Sequence, residues 1–201
     1  MMQMRFLIVT AFVLLLASGV SQAAPQARSL DNVVLLDLKD GRVTILLRPD
    51  LAPKHVARVK KLVKEGFYNG LIFHRVIPGF MAQSGDPTGT GTGGSPYPDL
   101  PAEFTDKAQF VRGTVGAARS SDPNSANSQF FIDFADASSL NGKYTIWGEV
   151  IGGMDAVDKI KKGTGDSGMV TGPDKIIKMQ LATDADQAGQ DAATALLQKH
   201  Q

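Results

Sequence analysis

The sequence predicts a mainly β fold, an antiparallel barrel or sandwich carrying two helices. Three observations carry this expectation. Short apolar, β-branched runs recur along the chain with turn residues between them. Glycine (21) and proline (10) are frequent enough in 201 residues to supply those turns. Only two stretches show apolar residues at helical spacing.

Taken in order, Val33–Leu38 and Arg42–Leu47 are apolar runs joined by Lys39-Asp40-Gly41, and Asp-Gly in that place marks a hairpin. Leu51-Ala52-Pro53 opens the first helix, with Asp50 or Ala52 at its cap and proline in its first turn. Val56, Val59 and Val63 form its apolar stripe, Lys60, Lys61 and Lys64 face outward, and Gly66 ends it. Phe67-Tyr68-Asn69-Gly70 turns the chain into Ile72–Gln83. Alternation there puts Phe73, Arg75 and Ile77 on one face and His74 and Val76 on the other, before Pro78-Gly79 bends the chain. Residues 84–101 form a long loop. Thr114–Ala118 and Gln129–Phe134 are strands joined by polar residues 119–128. Leu140-Asn141-Gly142-Lys143 turns into the strand Tyr144–Val150. Met154–Lys161 is the second helix, and Lys175–Leu181 is the last strand. Residues 183–201, rich in Ala, Asp and Gln, read as a flexible tail.

Composition excludes several chemistries. A formal net charge of +1 argues against a nucleic-acid surface or a polybasic membrane patch. With no cysteine there is no disulfide, thiolate nucleophile or Cys-ligated metal. Arg5, the apolar run Phe6–Ala17 and the small-residue end Ser18–Ala23 have the layout of a secretory signal peptide, cleaved after Ala23. The apolar run is shorter than the ~20 residues a bilayer span needs. Arg5 is the only charged residue in that segment, so its removal leaves 20 basic and 20 acidic residues. The expectation is a periplasmic or secreted monomer with no stable membrane association after cleavage. A linker at 24–31 then leads into one folded domain over 32–182.

Three candidate motifs carry less than they first offer. Gly89-Thr90-Gly91-Thr92-Gly93-Gly94 matches G-x-G-x-x-G, but Ser95-Pro96-Tyr97-Pro98 follows it where a dinucleotide site needs a helix N-terminus. The better reading is a loop whose backbone runs close to something else. His55, His74 and His200 are scattered over a helix, a strand and the tail, so no metal site is expected. No G-x-S-x-G occurs to build a serine nucleophile, and His74 reads as a hydrogen-bonded structural residue.

Two stretches stand out. In Ile72–Gln83 a guanidinium with five donors stands among Phe, Met and Gln, and burying it without a partner is costly. In Ser128-Gln129-Phe130-Phe131-Ile132, alternation pairs Gln129 with Phe131 on one face and Phe130 with Ile132 on the other. Phe130 and Ile132 suit a core, whereas Gln129 beside Phe131 fits a polar rim next to an apolar pocket.

Phe73 to Asp86, Gly89–Gly94, Ser128–Ile132 and Leu140–Lys143 come in the order found in the cyclophilin-type peptidyl-prolyl isomerases, and the chain resembles that family from about Val33 to Leu181. The resemblance implies an eight-stranded antiparallel closed barrel capped by two helices, with an active groove on its outer face. It implies isomerisation of X-Pro peptide bonds in proline-containing peptides and folding proteins, with no cofactor and no metal. Matched by motif, Arg75 looks like the catalytic arginine, assisted by Gln83. Phe80, Met81, Phe131, Leu140 and Tyr144 look like walls of the proline pocket. Gln129 looks like a polar partner of Arg75 and of the substrate backbone, and Ser120 is carried for its main-chain groups alone. Ser139 stands where eukaryotic members often have tryptophan, which implies weak cyclosporin binding. Tyr144 stands where histidine is common and supplies both a ring and a hydroxyl. Trp147 reads as core.

These residue types suit the chemistry. An X-Pro bond resists rotation because the nitrogen lone pair is delocalised, with a barrier of ~18–20 kcal/mol. In the twisted state the lone pair returns to nitrogen, and a fixed donor there binds that state better than either planar isomer. No nucleophile or general base is required. A binding module that grips proline-containing segments as a holdase would use the same groove.

Overall fold

The computed structural model describes residues 29–200, so the expected signal peptide and most of the linker lie outside the described residues. The strands are β1 (Val33–Leu38), β2 (Gly41–Leu47), β3 (Arg75–Ile77), β4 (Met81–Ser84), β5 (Thr114–Ala117), β6 (Phe130–Asp133), β7 (Ile146–Gly152) and β8 (Lys178–Leu181). The helices are α1 (Pro53–Lys64), α2 (Met154–Asp158) and α3 (Gln187–Lys199). All eight strands join one antiparallel sheet in the order β3-β4-β6-β5-β7-β2-β1-β8. The predicted β1–β2 hairpin forms, with Leu38 opposite Gly41. Register shifts between Thr44 and Ile45 and between Val115 and Gly116 curl the sheet, as an extra residue in one strand does.

The barrel is not closed, contrary to the expectation. Edge strands β3 and β8 have no ladder between them, and the sheet is a curled half-barrel. Irregular backbone spans the gap instead. Phe73 N–H donates to the Asp174 carbonyl (2.9 Å), Ile176 to Leu71 (2.8 Å) and Val170 to His74 (3.1 Å). The first residues of the expected strand Lys175–Leu181 are used in this seam, which is why β8 begins only at Lys178. The helix expected over 154–161 is likewise short, because Lys159 caps it and the Lys161 N–H turns to Asp174 Oδ2 at 2.8 Å.

Alternation sorts the core. Val34, Leu36, Val43, Ile45 and Leu47 point inward with Val115, Phe130, Ile132 and Trp147, against Val56, Val59 and Leu62 of α1. Trp147 is core, edge-on to Phe130 at 5.9 Å. Ala52, one of the two residues expected at the cap, is the N-cap of α1, but it has no side chain able to cap the helix. Glu103 caps it from 48 residues away. Its carboxylate accepts from the Lys54 and His55 N–H groups, both at 3.0 Å, and meets His55 Nδ1 at 2.6 Å. A carboxylate at a helix N-terminus satisfies open N–H groups and complements the helix dipole.

The expected flexible tail, 183–201, is instead largely the helix α3. Asp186 caps it by accepting from the Gly189 N–H at 3.0 Å. Ala193 and Leu197 pack with Val33, Leu35, Leu46 and Ile151, which face away from the main core. The physical reason lies in β1, whose neighbouring residues Val33 to Leu36 are all apolar and all buried. A strand apolar on both faces needs cover on both.

Candidate active site

Cross-strand register gathers the site. Arg75 lies opposite Gln83, and Ile77 opposite Met81, across β3 and β4. Gln83 in turn lies opposite Phe131 across β4 and β6. Directly opposed residues share a face, so these side chains all project outward from the sheet.

A directed row of hydrogen bonds crosses this face. Arg75 Nη1 donates to Gln83 Oε1 at 3.2 Å, and Gln83 Nε2 donates to Gln129 Oε1 at 2.9 Å. Gln129 Nε2 then donates to the carbonyls of Gly91 (3.0 Å) and Gly93 (2.8 Å). The polarity follows from chemistry: arginine only donates and carbonyls only accept, so both amides must face as they do. The glycine-rich loop is thus the backbone that receives Gln129. Asp86 holds that loop from inside, accepting from the N–H groups of Thr88 (2.7 Å), Thr90 (3.0 Å) and Gly91 (2.5 Å). Burial would raise the Asp86 carboxyl, but the donors of Thr88, Gly93 and Gly91 outweigh it and hold it well below the usual carboxylate range.

Beside the row lies an apolar patch. Met81 and Phe131 are buried in one cluster with Leu51, Phe110, Ala137 and Ile146, and Phe80, Leu140 and Tyr144 pack onto it. All five apolar wall residues expected from the sequence therefore meet. Phe131 stacks on Phe110 at 5.7 Å and meets Tyr144 edge-on at 5.9 Å. Phe110 was not legible as a wall, since it lies in an irregular segment with no periodicity of its own. Gly116 was missed too. A Cβ there would collide with the rings of Phe131 and Phe110, so glycine lets both rings lie over β5.

A groove of about 520 Å³ is lined by Gln83 and Gln129 together with Ala118, Arg119, Ser120 and Asn127, and by none of the five wall residues. Ser120 is on its rim, but its main-chain groups are engaged. Its N–H donates to Ser125 Oγ (2.9 Å), and its carbonyl accepts from Arg119 Nη1 (2.8 Å), leaving that oxygen one further lone pair. Arg119 also lies over the Tyr144 ring at 4.4 Å and donates to the Lys143 carbonyl, fixing the far wall.

Two expectations about the arginine strand fail. Phe73 is fully buried in the main core with Val76, not outward with Arg75, because strict alternation starts only at Arg75. His74 is buried, but its ring nitrogens have no hydrogen-bond partner among the described residues. Burial pushes its pKa down against the pull of Asp86, which keeps the ring neutral.

Residues 33–181 match the family described as cyclophilin type peptidyl-prolyl cis-trans isomerase/CLD. The chain belongs to the cyclophilin-type peptidyl-prolyl cis-trans isomerases. It is an enzyme of the isomerase class. Among similar proteins, the "Probable peptidyl-prolyl cis-trans isomerase" of Brucella suis is 60% identical over 186 residues, covering 87% of this chain and 93% of the relative. The protein of that name in Brucella abortus is 59% identical over the same shares. The crystal structure of the cyclophilin AquaCyp293 from Hirschia baltica aligns with a TM-score of 0.69 at 27% identity, over 79% of this chain and 77% of that one. A Cryptosporidium parvum cyclophilin, crystallised in the presence of the dipeptide Ala-Pro, aligns with a TM-score of 0.68 at 31% identity, over 74% and 98%. The matched cyclophilin region ends at Leu181, so α3 lies beyond it.

Proposed function

We propose that this cyclophilin accelerates rotation about X-Pro bonds of proteins folding in the periplasm, with Arg75 as the donor to the rotating bond. The observation that carries the reading is the hydrogen-bonded row Arg75–Gln83–Gln129 running beside the Met81/Phe131 patch. The patch takes the proline ring among Phe80, Met81, Phe131, Leu140 and Tyr144. The residues before the proline run along the groove past Gln129 and Ser120. Arg75 then faces the bond between the two. As the bond twists, the proline nitrogen regains its lone pair and accepts from the guanidinium, an interaction absent in both planar isomers. Apolar walls exclude water and strengthen that hydrogen bond. The row of amides holds Arg75 still, so little reorganisation is left for the moment of rotation. The Ala-Pro dipeptide named for the Cryptosporidium parvum structure has the substrate chemistry this patch suits.

The secretory signal read in residues 1–23 supports a periplasmic location, and N-terminal sequencing of the mature protein should begin at Ala24. Exposed Ser139 removes a large ring from the rim, so cyclosporin binds weakly. The deciding experiment is a protease-coupled assay on an Ala-Pro peptide. Arg75→Ala should lose at least about 100-fold in kcat/KM, as loss of one transition-state donor does, while the far-UV circular dichroism spectrum stays native. Near wild-type activity in that variant would exclude Arg75 as the donor.

A further inference from the structure

Arg75 is held on a second side by a segment outside the groove. Its Nε donates to the Ser167 carbonyl at 3.0 Å, while Nη1 donates to Gln83 and lies 4.0 Å from Met81 Sδ. Nη2 has no hydrogen-bond partner among the described residues. Ser167 belongs to a turn over residues 164–169 that folds back onto β3. The Val76 N–H donates to the Gly168 carbonyl at 2.7 Å, and the Gly163 N–H donates to the Val76 carbonyl at 2.9 Å. The turn closes on itself where Thr164 N–H meets the Met169 carbonyl at 3.3 Å.

Gly168 is the point of closest approach. Its φ is +69°, and a Cβ there would run into the Ile77 side chain and approach the Val76 backbone. Gly163 packs against Gly168 just as closely, since a Cβ on Gly163 would overlap the Gly168 carbonyl. Two glycines thus let the turn lie directly on the strand that carries Arg75. That contact sets where the Ser167 carbonyl stands, one residue before Gly168. A guanidinium is a planar fork, so fixing Nε and Nη1 fixes the plane and the direction of Nη2.

We infer that the 164–169 turn is a positioning element for Arg75: through Gly168 against β3, it sets the Ser167 carbonyl so that Nη2 is the N–H aimed at the substrate. This rests on the reading of Arg75 as the donor to the rotating bond. Gln83 alone would leave the fork free to swing about one hydrogen bond. Met81 adds only a weak thioether acceptor.

The test combines Gly168→Ala with NMR of the full chain labelled with 15N-arginine. Wild-type Arg75 Nε–H should exchange with water more slowly than that of a free arginine. In Gly168→Ala that protection should be lost, and kcat on the Ala-Pro peptide should fall about tenfold with KM unchanged. A merely structural role for Gly168 would not move the Arg75 resonance while the circular dichroism spectrum stays native. Fast exchange at Arg75 Nε–H in the wild type overturns the inference, whether or not the variant folds. So does a folded Gly168→Ala protein with wild-type kcat. An inactive wild-type enzyme would count against the proposed function instead, and the exchange rate would still decide this inference.

Discussion

At the scale of single residues, the site is a question of which atom donates to which. Arg75 can only give, so Gln83 and Gln129 must pass the polarity along to the carbonyls of Gly91 and Gly93. Gln129→Glu breaks this sequence at its last step, because a carboxylate cannot donate to those carbonyls and is repelled by them. We expect kcat/KM in the peptide assay to fall about tenfold or more, with the fold intact. Wild-type activity in that variant would show the row to be irrelevant to catalysis. The residues of the row could be read from the sequence through the motifs that carry the family resemblance. Phe110 and Gly116 could not. One is an aromatic in an irregular segment, and the other matters only for the rings that lie against it. Nothing in a linear sequence marks a glycine by what its missing Cβ would strike.

Among the elements, α3 departs most from expectation. Its own residues gave little sign, since Ala193 and Leu197 are a thin apolar stripe in a polar segment. The legible sign was elsewhere, in the unbroken apolar run of β1, whose second face α3 covers. Removing residues 186–201 exposes Val33, Leu35, Leu46 and Ile151 to water. Full burial of one such side chain is worth about 1.5–3 kcal/mol, so we expect partial exposure of four to lower stability by about 3 kcal/mol or more. Urea unfolding followed by Trp147 fluorescence measures this, and an unchanged midpoint would mean that α3 adds nothing to stability. Activity of the folded truncated enzyme at 25 °C should be unaffected, because α3 touches none of the site residues named above. α1 shows the same kind of displacement. Its cap, Glu103, comes from 48 residues along the chain, and no local residue announced it.

At the scale of the whole molecule, the buried acid Asp133 ties stability to pH across the neutral range. Asp133 is wholly inaccessible on β6, and neither carboxyl oxygen has a hydrogen-bond partner among the described residues. Burial, with a smaller push from Asp136, raises its pKa from 3.8 to about 8. Between those values the folded chain keeps a proton that the unfolded chain has released, so stability declines as pH rises. This contribution is fully present below 3.8 and gone above about 8. Asp133→Asn removes the ionisation and keeps the shape. We expect the variant to match or exceed the wild type in Tm at pH 9 while losing its advantage toward pH 5, as read by scanning calorimetry. Parallel Tm curves across that range would mean that Asp133 does not titrate as its burial requires. The sheet itself answers at the same scale. Eight antiparallel strands were foreseen, but whether their edges join depends on β3 and β8 meeting, and the 168–177 segment bonds β3 and the residues just before it, while the Met179 N–H of β8 donates to Asn69 Oδ1.

The family resemblance implied that Gln83 and Gln129 partner Arg75, and by itself the sequence determined what periodicity and residue chemistry can carry: most of the strands and their inward faces, the hairpin at Asp40-Gly41, α1, an arginine set among apolar groups and Gln129 beside Phe131 on one face. These follow from side-chain alternation and from the cost of placing a donor-only cation among apolar groups. Only the tertiary structure decided the open seam, the docking of α3, the cap from Glu103, the rings over Gly116 and the turn that grips Arg75. Each of those depends on two segments far apart in the chain approaching within a few ångströms. Such an approach depends on how the whole core packs, and neither segment encodes it alone.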